Sequence, residues 1–570
     1  MPLVPPKHAL IGTNRVDWSS ICTPLTKIPG EPMHHESAIR GLAIVSFRPT
    51  FCLLLTFSVA VSICSCLCGR DFYLTIAGGY APEGNQASLE ANVLFYQNFL
   101  HRKVNRELQH WLYFADGLDS GADLQILAPN PGNVTEAQRL LAELYRRGRL
   151  NISYRNHVIP GVSGKNTSRD VGSGLIAMAK TMRAGDRLVV YVTAHGSSGN
   201  DDAPFNTTIS TWGNRSISMT RFSSWLDDLP ADVKVLCVMA QCYCGGFAHT
   251  IFENGDEKEG FPRQLRSGFF AQRFDLPAAG CRPDIEDDAE YSSYFWGALS
   301  GKSRNGREIS DVDLNADGQL SLAEAHAYAV VDGETIDIPI RGTEHFLRLF
   351  SRIPEYELDA AWHSETKFPI EDNHEVGSAS STSIVRNNLK SLHGSLSTWI
   401  EVASPIDRAI VSGLANRLDI PLNSNISAVF DAYDDAREAR RSDGRGRFRR
   451  GRGFSGRGAL REAIAEQWPE LADEQWEKSD LLQGNSATKL FEDIKSLPEY
   501  AAYQELQNSS QERSERALQA ELQEVRVRRL IQTLETIVLE ANLPKLASPD
   551  VIQRFHELTE LENEPFVAAP

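Results

Sequence analysis

Five short runs constrain this chain more than any other feature in it. FYLTIAGG (72–79), HWLYFADG (110–117), RLVVYVTAHG (187–196), VKVLCVMAQC (233–242) and SGFFAQRF (267–274) are apolar at nearly every position. A strand with one wet face alternates apolar and polar residues, so strands that are apolar on both sides must be covered on both. Segments of helical period stand between them: ASLEANVLFYQNFLHR (87–102), TEAQRLLAELYRRG (135–148) with Thr135 as its cap, and VGSGLIAMAKTMRAGD (171–186). YSSYFWGALSG (291–301) follows the last run. This alternation predicts an α/β sandwich of three layers around a mostly parallel sheet. In such sheets sites form at the carboxyl ends of the strands.

Two of those ends carry chemistry. RLVVYVTA runs into His195 and Gly196, and VKVLCVMAQ runs into Cys242, followed by Tyr243, Cys244, Gly245 and Gly246. A thiol nucleophile needs a base to take its proton and N–H donors for the oxyanion it creates. His195 can serve as the base. The backbone N–H groups of Cys242 and Gly196 can serve as the donors. Glycines after Cys242 would let the chain turn tightly and expose the sulfur.

At these residues the chain resembles cysteine peptidases of caspase-like fold, of the legumain type. VVYVTAHGSSG resembles their strand-His-Gly-Ser block and VLCVMAQCYCGG their strand-Ala-Cys block, and FYLTIAGGY fits their opening strand. The likeness covers about residues 71–345. It implies a caspase-like three-layer sandwich, a Cys242–His195 dyad and a peptide or protein substrate cleaved through a thioester. A catalytically silent scaffold and a transpeptidase stay open as alternatives. The chain departs from the pattern at two positions. Ala240 stands where many relatives carry a specificity acid, and Cys244 where a serine is usual. Asp284, Asp287 and Asp288 are candidates for the missing acid.

DLNADGQLSLAE (313–324) meets the spacing of a twelve-residue calcium loop. Asp313, Asn315, Asp317, Gln319, Ser321 and Glu324 stand at the ligand positions, and Gly318 stands at the sharp turn. A structural Ca2+ ion is therefore expected here. The competing reading is an Asx-rich turn that caps the helix AEAHAYAVV. No cofactor is expected in the catalysis itself.

Beyond about residue 365 strands are no longer expected. The stretch 346–459 reads as an irregular linker, with a flexible Arg/Gly-rich segment at 437–457. The stretch 460–570 reads as a helical region whose Leu/Ile/Val stripe closes on itself or on a second copy. At the other end, FCLLLTFSVAVSICSCLC (51–68) within the segment 1–70 is uncharged and apolar. It is read as a signal peptide or a membrane anchor, which puts the protein outside the cytosol. A net charge of −17 argues against a nucleic-acid partner, because phosphate backbones need a cationic face.

Overall fold

The computed structural model describes residues 69–104, 107–127, 134–145, 152–280, 289–351, 389–445, 453–472 and 476–566. The apolar run 51–68, its three clustered cysteines and the acids Asp284, Asp287 and Asp288 lie outside them. Among the described residues no helix is long and apolar enough to cross a membrane.

The five runs form the strands β1 (Asp71–Gly78), β2 (Gln109–Phe114), β5 (Arg187–Ala194), β9 (Lys234–Met239) and β10 (Leu265–Phe270). They join one six-stranded sheet in the order β2-β1-β5-β9-β10-β11. All neighbours are parallel except the short edge strand β11 (Ile340–Arg341), which runs antiparallel to β10. Every residue of β5 is buried, as its unbroken apolar run requires. Two smaller sheets were not legible in the sequence: β3 (Leu124–Leu127) with β4 (Ile152–Arg155), and β6 (Gly196–Ser197), β7 (Thr208–Thr211) and β8 (Arg215–Ser218).

The connections set the layers. The crossover from β1 to β2 runs through α1 (Ala87–Lys103). Those from β2 to β5 and from β5 to β9 run through α3 (Ser168–Thr181) and α4 (Met219–Asp227) and step the opposite way. Right-handed crossovers in opposite directions put α1 on one face and α3 and α4 on the other. On the α1 face the rings of Tyr96, Phe99 and Trp296 close against Tyr191 of β5. Trp296 belongs to α5 (Tyr291–Ser300). The strand order reverses between β1 and β5, so the crevice at their carboxyl ends is the switch point where sheets of this kind bind ligands.

The remainder differs from the expectation of an irregular linker and a self-packed tail. The described part of 346–459 is largely helical: α7 (Gly342–Phe350), α8 (Leu396–Val402), α9 (Pro405–Arg417) and α10 (Ser427–Arg445). Leu396, Trp399, Ile406, Ile410 and Leu414 belong to the same core as the sheet. Asp407 of α9 meets the buried Arg341 of β11 at 2.5 Å. The Arg/Gly-rich stretch 437–457 was expected to be flexible, but it is helical on both sides of 446–452, through α10 and α11 (Gly453–Gln467). Carboxylates explain the ordered arginines: Arg440 reaches Glu521 and Glu524 at 3.1 Å each. Those two glutamates lie on α13 (Pro498–Leu546), a helix of 49 residues. The apolar stripe of α13 does not close only on its own kind. Val527, Leu530, Ile531, Leu534 and Val538 enter the core of the sheet. Leu539 and Leu543 meet Phe346 of α7 and Phe555 of α14 (Pro549–Glu562).

Candidate active site

The parallel ladder between β5 and β9 brings His195 and Cys242 to the same height. Arg187 stands opposite Lys234 and Val192 opposite Met239, a constant offset of 47 residues. His195 and Cys242 are also 47 apart, and each lies three positions past its last paired residue. Adjacent strands are about 4.8 Å apart, so the two residues leave the sheet side by side. Gly196 seals the junction. A β-carbon there would lie 2.3 Å from the Cys242 carbonyl oxygen.

His195 is tied from the far side. Its Nε2 lies 2.8 Å from the Gly84 carbonyl and 3.0 Å from Gln86 Oε1. Two oxygen acceptors at Nε2 place the ring proton there and leave Nδ1 as the basic nitrogen. The Tyr80 ring stands edge-on to the imidazole at 5.3 Å. These partners come from the loop after β1, whose shape is set by Asn85: Gly79 donates its N–H to Asn85 Oδ1 at 3.0 Å, and Asn85 Nδ2 donates to Asp123 at 2.9 Å. Residue types alone did not reveal this loop as the support of the histidine. The paired glycines 78–79 after the first strand were its one visible signal. Burial lowers the His195 pKa, partly countered by the Gly84 hydrogen bond, so the ring is neutral near pH 7.

Cys242 is half-buried and carries its proton. Burial raises its pKa. The thiol donates to the Ala278 carbonyl at 3.7 Å. In this arrangement the hydrogen bonds of the thiol and of the imidazole lead to Ala278 and to the Gly84 loop, respectively, and not to each other.

The backbone around Cys242 has a strained turn. Tyr243 takes φ 61°, ψ 17°, a left-handed conformation that costs a non-glycine residue about 1–2 kcal/mol. The expected turn is present, but the tyrosine makes it. The glycines that follow serve close packing: a β-carbon on Gly246 would lie 2.6 Å from the Phe205 carbonyl oxygen. On the histidine side, Ser210 N–H donates to the His195 carbonyl at 2.8 Å. Gly196 and Ile209 therefore form a non-hydrogen-bonded pair of the antiparallel β6–β7 ladder. In such a pair the N–H points out of the ladder, which leaves the Gly196 N–H available to an oxyanion.

Cys244 is fully buried. Its sulfur donates to the Gln272 carbonyl at 3.4 Å and accepts from the Gln272 N–H at 3.2 Å. Both Cys242 and Cys244 are free thiols. Ala240 leaves the position two before Cys242 without an acid. Buried carboxyls near the strand ends come from elsewhere. Asp337 accepts the Ala279 N–H at 2.7 Å. Glu290 lies 3.7 Å from Arg304 and is pushed up to about 7 by burial.

In the loop 313–324, Asp313 accepts the N–H groups of Asp317 and Gly318 at 3.2 and 2.9 Å, and Asp317 accepts that of Gln319 at 2.7 Å. Gly318 takes φ 78°, as a sixth-position glycine should. Glu324 is engaged in a capping box with Ser321 at the start of α6 (Leu322–Asp332), and it also accepts the Leu314 N–H at 2.8 Å. Among the described residues no three His, Cys, Asp or Glu side chains converge closely enough to hold a metal. An ion would have to draw these oxygens from the N–H groups they now accept.

No family model matches the chain, and no curated protein matches it. Among solved structures it is similar to protein GSU0716 from Geobacter sulfurreducens, at 10% identity and a TM-score of 0.23. The match covers 46% of this chain and 88% of that one, a likeness too slight to assign a fold.

Proposed function

We propose that this protein is a cysteine peptidase of caspase-like fold, with Cys242 as nucleophile and His195 as its acid and base. The observation that carries the reading is the shared ladder offset, which delivers a thiol and a neutral imidazole from the ends of the adjacent strands β9 and β5, the second of which borders the switch point of the sheet. Five parallel strands with helices on both faces suit the three-layer sandwich that the motifs suggest.

The chemistry follows from the resting protonation states. Both groups are neutral, so proton transfer accompanies attack: the thiol proton goes to His195 Nδ1 as sulfur bonds to the substrate carbonyl carbon. The N–H groups of Cys242 and Gly196 then receive the oxyanion. The imidazolium gives its proton to the leaving amine, and water, activated by the same nitrogen, hydrolyses the thioester. The Gly84 carbonyl and Gln86 hold the ring throughout, the part a third group plays in such triads. For the thiol to reach Nδ1 it must first leave the Ala278 carbonyl.

Cys242→Ala and His195→Ala are expected to abolish cleavage of a peptide library, a drop of about 10³-fold or more, while leaving the melting curve within a few degrees of wild type. Full activity in either variant would overturn the dyad. Wild-type protein that cleaves no peptide but joins added amines to its substrates would be a transpeptidase. Wild-type protein that does neither would be a silent scaffold.

A further inference from the structure

A chain of hydrogen bonds runs from the long helix α13 to the sulfur of Cys242. It begins at Arg529 of α13, which is buried to 2% exposure. Its guanidinium donates to the carbonyls of Val330, Gly333, Thr335 and Asp337 at 2.8–2.9 Å and to Thr335 Oγ1 at 3.0 Å. Five donors in a rigid fork are thereby spent on the last turn of α6 and the loop that joins it to β11. A lysine ammonium, with three donors, cannot reproduce this.

The loop carries Asp337, which is wholly buried. Its Oδ1 accepts the Ala279 N–H at 2.7 Å. Ala279 belongs to a strap, Leu276–Ala279, of which every residue is fixed by one backbone group. Leu276 accepts from the Tyr243 N–H at 3.0 Å, Pro277 from Gln272 Nε2 at 3.2 Å, and Ala278 from the Cys242 thiol at 3.7 Å. Gln272 is held in turn by the same loop, because its Oε1 accepts the Ile338 N–H at 3.2 Å. The strap therefore touches the nucleophile and its strained neighbour on one side and the Asp337 loop on the other.

We infer that Asp337 and Arg529 are positioning residues for Cys242: Arg529 sets the end of α6 and the loop after it, Asp337 pins the strap, and the strap holds the thiol on the Ala278 carbonyl. This rests on Cys242 being the nucleophile. It also makes α13 part of the active site.

The test uses the full chain and labelling with iodoacetamide at one fixed pH, with the labelled residue found by peptide mass mapping. Asp337→Ala deprives the Ala279 N–H of its acceptor. It is expected to raise the labelling rate of Cys242 about fivefold or more, because a thiol released from a half-buried hydrogen bond is more accessible. Asp337→Asn keeps an oxygen at the same place and should label within about twofold of wild type. Arg529→Lys should act as Asp337→Ala does. A residue with a merely structural role would lower Tm and leave the labelling of folded molecules unchanged. Wild-type labelling of folded Asp337→Ala overturns the inference. If that variant unfolds, which labelling of the buried Cys237 and Cys244 would reveal, wild-type labelling of folded Arg529→Lys overturns it instead. Labelling needs no substrate, so a wild-type protein that hydrolyses nothing would sink the peptidase reading and leave this one standing.

Discussion

A β-carbon on Gly196 would lie 2.3 Å from the Cys242 carbonyl oxygen and 2.8 Å from that of Thr208. Both atoms are backbone, so neither can swing aside. Gly196→Ala must push the end of β5 away from the end of β9, at a cost of about 1–3 kcal/mol for overpacking of this kind. The damage to function should exceed the damage to stability, since a displacement near 1 Å can cost about 10²-fold in rate. The expected result is a folded protein with a modestly lowered Tm and hydrolysis reduced about 10²-fold or more. An alanine variant of wild-type activity would show that Gly196 plays no part in the alignment. The sequence made His195, Gly196 and Cys242 legible because each ends a strongly apolar run. Asp337 and Arg529 were not, because nothing local marks a residue whose importance lies in carbonyls distant along the chain.

At the scale of elements, strand and helix positions were legible wherever burial imposes a pattern. The run 187–196 became β5 at Arg187–Ala194, and 291–301 became α5 at Tyr291–Ser300. The small β6–β7–β8 sheet was not, since four-residue strands such as TIST and RSIS carry too few apolar residues to show a period. The loop before α6 shows how one pattern can serve two structures. Ser321 and Glu324 are both a capping box and calcium positions nine and twelve. We propose that calcium takes this loop, because Asp313 and Asp317 already accept N–H groups of the turn that the left-handed Gly318 makes. Millimolar calcium is expected to raise Tm by mass action, and Asp317→Ala, which leaves the capping box intact, should remove the rise. A melting curve indifferent to calcium would assign the loop to helix capping alone.

For the molecule as a whole, the helices beyond residue 453 are not an appendage. Leu530, Ile531, Leu534 and Val538 are each buried to within 1% exposure in the core shared with the sheet. At about 1.5–3 kcal/mol for each side chain, four such residues rival the whole stability of a typical domain, about 5–15 kcal/mol. A chain ending at Arg445 should therefore fail to fold. A protease site inserted between α10 and α11 should yield two pieces that co-elute and keep the activity of the intact chain. A soluble N-terminal piece that turns over peptide faster alone would instead make the tail an inhibitor. Composition could show that 460–545 is helical but not what it packs on, since an amphipathic stripe does not name its partner. The ladder between β5 and β9 has one more consequence, for how such proteins can diverge. The separation of 47 positions from His195 to Cys242 equals the ladder offset, so residues gained or lost in the excursion between the two strands change both numbers alike. Insertions in that excursion are therefore silent for the chemistry where they leave the turn Trp212–Asn214 on the Tyr80 carbonyl, whereas a one-residue deletion inside β5 or β9 is not. Relatives of this chain would share the two strand ends without sharing the distance between them.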